Sequence, residues 1–215
     1  MKEIILAVPK GRILLELIPL LEKIDVKPEN EFFKNDTRKL IFKTNHTHIK
    51  IIRVRSFDVA TFVALGAANI GIAGDDVLGE FDYQEIYSVL DLKIGKCRLS
   101  LAKKKQDENF KEIQSGNILV ATKYKNIVTN FFAKKGVRAE CIKLNGAMEL
   151  APKLGICSYI VDLVSTGKTL SENGLEEQEN LLQITSKLIV NKIAFKLNNN
   201  DIDFLVKKFD KAVNE

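Results

Sequence analysis

The chain has no tryptophan, two histidines, three cysteines and four prolines. Each scarcity excludes something. Single-strand nucleic-acid binders need aromatic rings interleaved with cations, and no such ladder occurs among the basic residues here. Cys97, Cys141 and Cys157 are odd in number, far apart and form no CxxC pair. A disulfide framework or zinc site is therefore not expected, and all three read as buried small hydrophobes. His46 and His48 would share one face of a strand, but no further ligands lie nearby in sequence. They read as a solvated hairpin end, and no protein metal site is expected. No apolar run approaches the roughly 18 residues of a membrane span. Met1 to Pro9 lacks the long apolar region of a signal peptide and reads as a first strand, so the cytoplasm is the expected location.

What is present points to a packed fold. Hydrophobic residues make up 46% and charged residues 28%, which excludes a disordered chain. The net charge of +5 is modest. Its densest basic run, Lys103-Lys104-Lys105, is followed at once by Asp107 and Glu108. That reads as a solvated turn, and neither nucleic acid nor membrane is expected as a partner.

Along the chain, apolar runs alternate with helical periodicity. Residues 3–8 form a strand ended by Pro9, and Lys10-Gly11-Arg12 opens a helix that Pro19 should kink. A strand, a basic glycine turn and a helix make a plausible anion site or an ordinary βα turn. Arg38–Phe42 and Ile49–Arg55 read as a hairpin. A helix follows, capped at Ser56 and stopped by Gly66. Asn69–Gly74 is a buried strand whose glycines do not fit GxGxxG, so no dinucleotide fingerprint is present. Asp75 and Asp76 then open a helix, as caps or as ligands. Further strands are expected at 86–90, 96–102, 117–122, 138–144 and 158–164, with helices at 123–135 and 147–154. This β-α-β-α-β order implies a parallel sheet. A β-rich stretch at 181–197 and a helix at 201–213 close the chain. The expected architecture is α/β with two lobes. Residues 1–92 plus 180–215 form a discontinuous first lobe and 93–179 the second, with a cleft between them.

Tyr159–Leu170, reading YIVDLVSTGKTL, carries the most chemistry. An apolar strand ends at an acid, and hydroxyls, a glycine and a helix start follow. Gly167-Lys168-Thr169 matches the end of a Walker A loop, but that pattern needs glycine where Asp162 stands, and a carboxylate there would repel phosphates. Two readings remain. In one, Asp162 binds ribose hydroxyls while Ser165, Thr166, Gly167, Lys168 and Thr169 wrap a 5′-phosphate. In the other, Ser165 or Thr166 simply caps a helix.

The stretches AVPKGRILLE, RVRSFDVATFVALGAANIGIAGDDVL, LDLKIGKCRLSLA, ATKYKNIVTNFFAKKG, IKLNGAMELAPKLG, YIVDLVSTGKTLSENGL and SKLIVNK together cover nearly the whole chain. In content and order the set resembles the short form of the ATP phosphoribosyltransferase family. The resemblance implies lobes like those of type II periplasmic binding proteins. It implies transfer of the phosphoribosyl group of phosphoribosyl diphosphate (PRPP) to N1 of ATP, with Mg²⁺ carried mainly by the diphosphate. It assigns Asp162 and Ser165–Thr169 to PRPP. For the departing diphosphate the candidates are Lys10, Arg38 and Arg55, with Gly11, Arg12, Asp76 and Glu149 as weaker contacts to ATP, ribose or diphosphate. It further implies a separate regulatory subunit resembling histidyl-tRNA synthetase, in a hetero-oligomer built on a homodimer, and no extra C-terminal regulatory domain. Asp75 stands where the family commonly has lysine, so the site would lose a cation there. A cytoplasmic solute-binding or sensor protein of the same fold is the alternative.

Overall fold

The computed structural model describes residues 2–34, 36–105 and 116–215. They divide into two units, Met1–Gly95 with Thr185–Glu215, and Lys96–Ile184. The sequence reading places these crossings at 92 and 180.

In the first unit the chain runs β1 (Ile4–Pro9), α1 (Arg12–Lys23), a 3-10 turn (Asn30–Phe33), β2 (Ile41–Lys43), β3 (Ile49–Val54), α2 (Ser56–Ala64), β4 (Ile70–Gly74), α3 (Asp75–Phe81) and β5 (Ile86–Asp91). The second unit holds β6 (Cys97–Lys104), β7 (Asn117–Thr122), α4 (Lys125–Lys134), β8 (Arg138–Lys143), α5 (Leu150–Lys153), β9 (Tyr159–Val164), α6 (Lys168–Glu172) and β10 (Leu175–Ile184). The chain then returns to the first unit as β11 (Ser186–Asn191), α7 (Lys192–Leu197) and α8 (Asn199–Asn214).

Among the described residues the first sheet has the order β2-β3-β1-β4-β11-β5. β1 lies parallel to both β3 and β4, while β2 and β11 run antiparallel to their neighbours. β1, β3 and β4 are buried almost throughout, as parallel strands covered on both faces must be. One face carries Leu17, Leu21, Ile202 and Phe209 from α1 and α8. The other carries Val59 and Val63 from α2, which close on Gly71 so tightly that an added Cβ would lie 2.7 Å from the Val63 side chain. β1 lies between β3 and β4: the chain leaves β1 through α1 and β2 to reach β3 on one side, then crosses by α2 to β4 on the other. In such sheets ligands gather at the C-terminal strand ends.

The second sheet has the order β10-β6-β9-β7-β8. β9, β7 and β8 are parallel, as the alternating pattern predicts, and β6 and β10 extend the sheet antiparallel. The basic run expected in a solvated turn is instead the end of a strand: Lys103 and Lys104 belong to β6, and Lys103 is buried. Asp107 and Glu108 lie outside the described residues.

Several boundaries differ for identifiable reasons. α1 runs through Pro19 without interruption. The first turn of α2 has no side-chain cap, and Arg55 rather than Ser56 occupies the cap position. Of the stretch 181–197, the part through Ile184 completes β10, and from Lys192 the chain is helical. Asn191 starts that helix: its side-chain oxygen accepts from Ile193 N and Ala194 N. Its amide group also donates to the carbonyls of Val63 and Ala64 at the end of α2. One buried side chain thus caps one helix and ends another. Asn191→Ala strands these groups and is expected to lower stability by about 2–3 kcal/mol. A reduced urea midpoint at unchanged m-value checks it.

Where the chain re-enters the first unit, Thr185 N and Oγ1 donate to an Asp75 carboxylate oxygen at 2.9 and 3.2 Å. Lys187 Nζ lies 2.8 Å from Asp91 and 3.5 Å from Asp75. Burial opposes ionisation of Asp91, but the Lys187 ammonium, the Lys93 amide and the Thr185 hydroxyl outweigh it and hold the carboxyl below its ordinary range. A cation therefore does stand beside Asp75, supplied by β11.

Candidate functional site

In the second unit β9 brings Asp162 to the C-terminal end of the parallel strands, as its sequence position suggests. Asp162 is half-buried, and its carboxylate accepts from the Leu163 amide at 2.8 Å. Burial pushes this carboxyl above its ordinary range; Glu149 adds to the effect, and the Leu163 amide and Lys123 act against it. After Val164 the backbone turns through Gly167 at φ 80°, in the left-handed region that glycine enters without steric cost. α6 then runs for only five residues. Lys168 N approaches Thr166 Oγ1 at 3.4 Å, so Thr166 forms the local turn.

Around this loop lies a cavity of about 280 Å³. Its walls include Asp162, Ser165, Thr166, Gly167, Thr169 and, from a separate segment, Glu149. Lys168 does not line it; that ammonium is exposed, 3.7 Å from Glu172. Glu149 occupies the cap position of α5. The expected helix from Ala147 begins only at Leu150, because Ala147 sits in the left-handed region at φ 52° and interrupts any earlier start. A non-glycine residue held there is under local strain. A larger cavity of about 380 Å³ beside α1 is lined mainly by Ile18, Leu21, Val26 and Phe33. It lacks convergent polar groups, and the polar cavity is the better site.

In the first unit, the C-terminal ends of β1 and β3 are adjacent. Pro9 pairs with Val54, and Lys10 N donates to Val54 O at 2.9 Å. Lys10 and Arg55 thus follow neighbouring strand ends, and both are exposed. Gly11 takes φ 87° and opens α1 at Arg12, whose guanidinium reaches Glu16 at 3.8 Å and Gly95 O at 3.5 Å. β4, parallel to β1, ends at Asp75 and Asp76. Asp76 is buried within the first turn of α3.

Arg38 does not sit on a strand, since β2 begins at Ile41; it lies exposed in the approach to that strand. Leu40 O accepts from Arg53 N, so this approach follows β3 toward Arg55. The two arginines of Arg53-Val54-Arg55 have opposite fates. Arg53 is buried, donates to Phe32 O at 2.6 Å and packs on the rings of Phe32 and Phe42. The Arg55 side chain has no hydrogen-bond or ion-pair partner among the described residues. The expected hairpin-end role of the histidines is matched by His46, which bonds Asp25 O at 2.7 Å.

A family model described as HisG: ATP phosphoribosyltransferase matches residues 55–211. The ATP phosphoribosyltransferase of Sphingopyxis alaskensis is 54% identical over 212 residues, covering 99% of this chain and 95% of that protein. The chain belongs to the ATP phosphoribosyltransferase family. That of Rhodospirillum rubrum is 53% identical over 214 residues, with 98% and 93% coverage. Among solved structures, the ATP phosphoribosyl transferase (HisG:HisZ) complex from Thermotoga maritima contains a chain that matches at TM-score 0.81 and 28% identity, over 98% of each. The sulphonate-binding protein SsuA of Escherichia coli matches at TM-score 0.59 and 12% identity, which shows the shared periplasmic-binding-protein fold alone. The enzyme transfers the phosphoribosyl group of PRPP to N1 of ATP in histidine biosynthesis. The solute-binding alternative is set aside on these grounds. No helix among the described residues is long and apolar enough to cross a membrane.

Proposed function

We propose that the second unit's polar cavity is the PRPP subsite of this phosphoribosyltransferase. The observation that carries the reading is one cavity lined by two carboxylates and a hydroxyl-rich glycine loop. Asp162 and Glu149 accept from the ribose 2′ and 3′ hydroxyls. Ser165, Thr166, Gly167 and Thr169 hold the 5′-phosphate with amides and hydroxyls, which need no positive side chain to bind an anion. Lys168 supplies long-range attraction from the rim.

Adenine N1 attacks ribose C1 with its own lone pair, and the C1–O bond to diphosphate breaks. No strong base is needed to begin. The demand falls on charge developing at the diphosphate, so catalysis is positioning plus electrostatics. Lys10 and Arg55 are assigned to that charge, with Arg38 as an outer cation. Gly11 and Arg12 are assigned to ATP or diphosphate oxygens, and Asp76 acts through the start of α3.

Among the described residues no group of three or more His, Cys, Asp or Glu could hold a metal. The oxygen donors at the loop suit a hard cation that the substrate brings. When bound, Mg²⁺ neutralises part of the diphosphate charge.

A regulatory subunit resembling histidyl-tRNA synthetase completes the proposed assembly, in a hetero-oligomer built on a homodimer and working in the cytoplasm. The test mixes the protein with ATP, PRPP and Mg²⁺, with and without that subunit. N1-ribosylated adenine, followed by its altered absorbance, is the expected product. A normal signal after Asp162→Asn and Thr166→Ala would move the PRPP subsite elsewhere.

A further inference from the structure

The loop at the end of β9 is held from behind by a group that the sequence does not single out. Arg98 lies on β6, opposite Val164 on β9. Its Nε and Nη2 donate to the two carboxylate oxygens of Glu177 on β10, each at 2.6 Å. Ser100 Oγ donates to the same carboxylate at 2.7 Å. The remaining guanidinium nitrogen, Nη1, donates to the carbonyl of Ser165 at 3.2 Å. The pairing with Arg98 holds the Glu177 carboxyl below its ordinary range, so the clamp stays ionised at neutral pH.

The contact to Ser165 has a stereochemical consequence. In a trans peptide the carbonyl of one residue and the amide of the next point in opposite directions. With the Ser165 carbonyl drawn to Arg98, the Thr166 N–H faces the other way, and Thr166 lines the cavity. Rotating this peptide would aim a carbonyl oxygen at an incoming anion. A planar guanidinium can grip a carboxylate with two nitrogens and keep a third for the backbone; an ammonium cannot hold all three acceptors in that plane.

We propose that Arg98, clamped by Glu177, is a positioning residue that sets the Ser165–Thr166 peptide so that its amide is presented to the 5′-phosphate of PRPP. The proposal rests on the PRPP reading of the loop. It assigns Arg98 no contact with substrate, and because Arg98 and Glu177 neutralise each other the pair adds no net charge to the subsite.

The test compares steady-state kinetics of the whole enzyme with those of Arg98→Ala, Arg98→Lys, Glu177→Gln and Asp162→Asn. Arg98→Ala is expected to raise KM for PRPP by about 10–100-fold, the scale of losing one well-positioned contact, with kcat and KM for ATP within a few-fold. Arg98→Lys should recover little of this. Glu177→Gln should give a smaller rise in the same parameter. Added methylguanidinium should lower KM for PRPP in Arg98→Ala and leave the other variants unmoved. If Asp162→Asn leaves KM for PRPP unchanged, the PRPP reading itself falls. If Asp162→Asn raises it while Arg98→Ala and Glu177→Gln do not, the positioning role alone is overturned. Equal losses in kcat and both KM values, with no rescue, would mark Arg98 as merely structural and overturn it as well; should Arg98→Ala fail to fold, Glu177→Gln decides.

Discussion

Arg55→Ala is expected to lower kcat by about 10²–10³-fold, the range seen when one preorganised donor to developing charge is removed. KM for both substrates should change far less, because diphosphate gains its leaving-group charge only as the C1–O bond breaks. The structure makes the experiment clean. Arg55 is exposed and its side chain has no partner among the described residues, so truncation leaves no buried group unpaired. The melting temperature should stay near that of the unaltered protein. Arg53, two residues earlier, is the contrasting control. It is buried against Phe32 and Phe42 and bonds the Phe32 carbonyl, so its removal should act on stability first. A kcat near normal in Arg55→Ala would remove Arg55 from the catalytic assignment. A loss of kcat that tracks a fall in melting temperature would assign it to the fold instead.

The contrast between Arg53 and Arg55 also shows what a sequence can reveal. Apolar content locates β3 and the strands around it: buried parallel strands favour continuous apolar runs, which Ile4–Pro9 and Ile70–Gly74 have, and Ile49–Val54 is mostly apolar with Lys50 and Arg53 interposed. It cannot separate Arg53 from Arg55, which strand alternation would put on one face: Arg55 lies past the end of β3 at the cap position of α2, and Arg53 is covered by Phe32 and Phe42 arriving from elsewhere in the chain. β10 was legible only at its end, 181–184, and its start from Leu175 escaped for a different reason. Its residues, LEEQENLLQI, are largely polar because it is a sheet edge, and two irregularities in its register break the alternation that would betray a strand. With the start of β10 unrecognised, Glu177 was not singled out, and its grip on Arg98 was invisible. Asp162 was legible because an acid ending an apolar strand before a hydroxyl-rich turn is unusual. The partnership of Asp162 with Glu149 was not, because it depends on how the strained turn at Ala147 brings a separate segment to the cavity. Lys187 beside Asp75 belongs to the same class: a cation absent from one position and supplied by a strand over a hundred residues away.

Asp162→Asn is expected to raise KM for PRPP by about 100-fold while KM for ATP changes little, since a carboxylate bonded to ribose hydroxyls is a charge-assisted contact. The pH dependence sharpens the test. Burial raises the Asp162 carboxyl above its ordinary value of 3.8, with Glu149 adding to the shift and the Leu163 amide and Lys123 opposing it. The ionised form is the acceptor that the hydroxyls need. Its population falls as pH drops through the raised value, so kcat/KM for PRPP should decline on acidification earlier than an ordinary aspartate would cause. PRPP carries titrating phosphate oxygens of its own, but these are the same for both proteins. The ratio of kcat/KM between the unaltered enzyme and Asp162→Asn therefore isolates the carboxyl. That ratio should be large and level at neutral pH and shrink toward acid as the native carboxyl is protonated. Glu149→Gln tests the coupling: removing the neighbouring negative charge should move the acid limb to lower pH, because one influence that raises Asp162 is gone. A pH-independent ratio would mean that Asp162 does not bind PRPP through its ionised form. Equal losses toward ATP and PRPP would give it a role in shaping the loop instead.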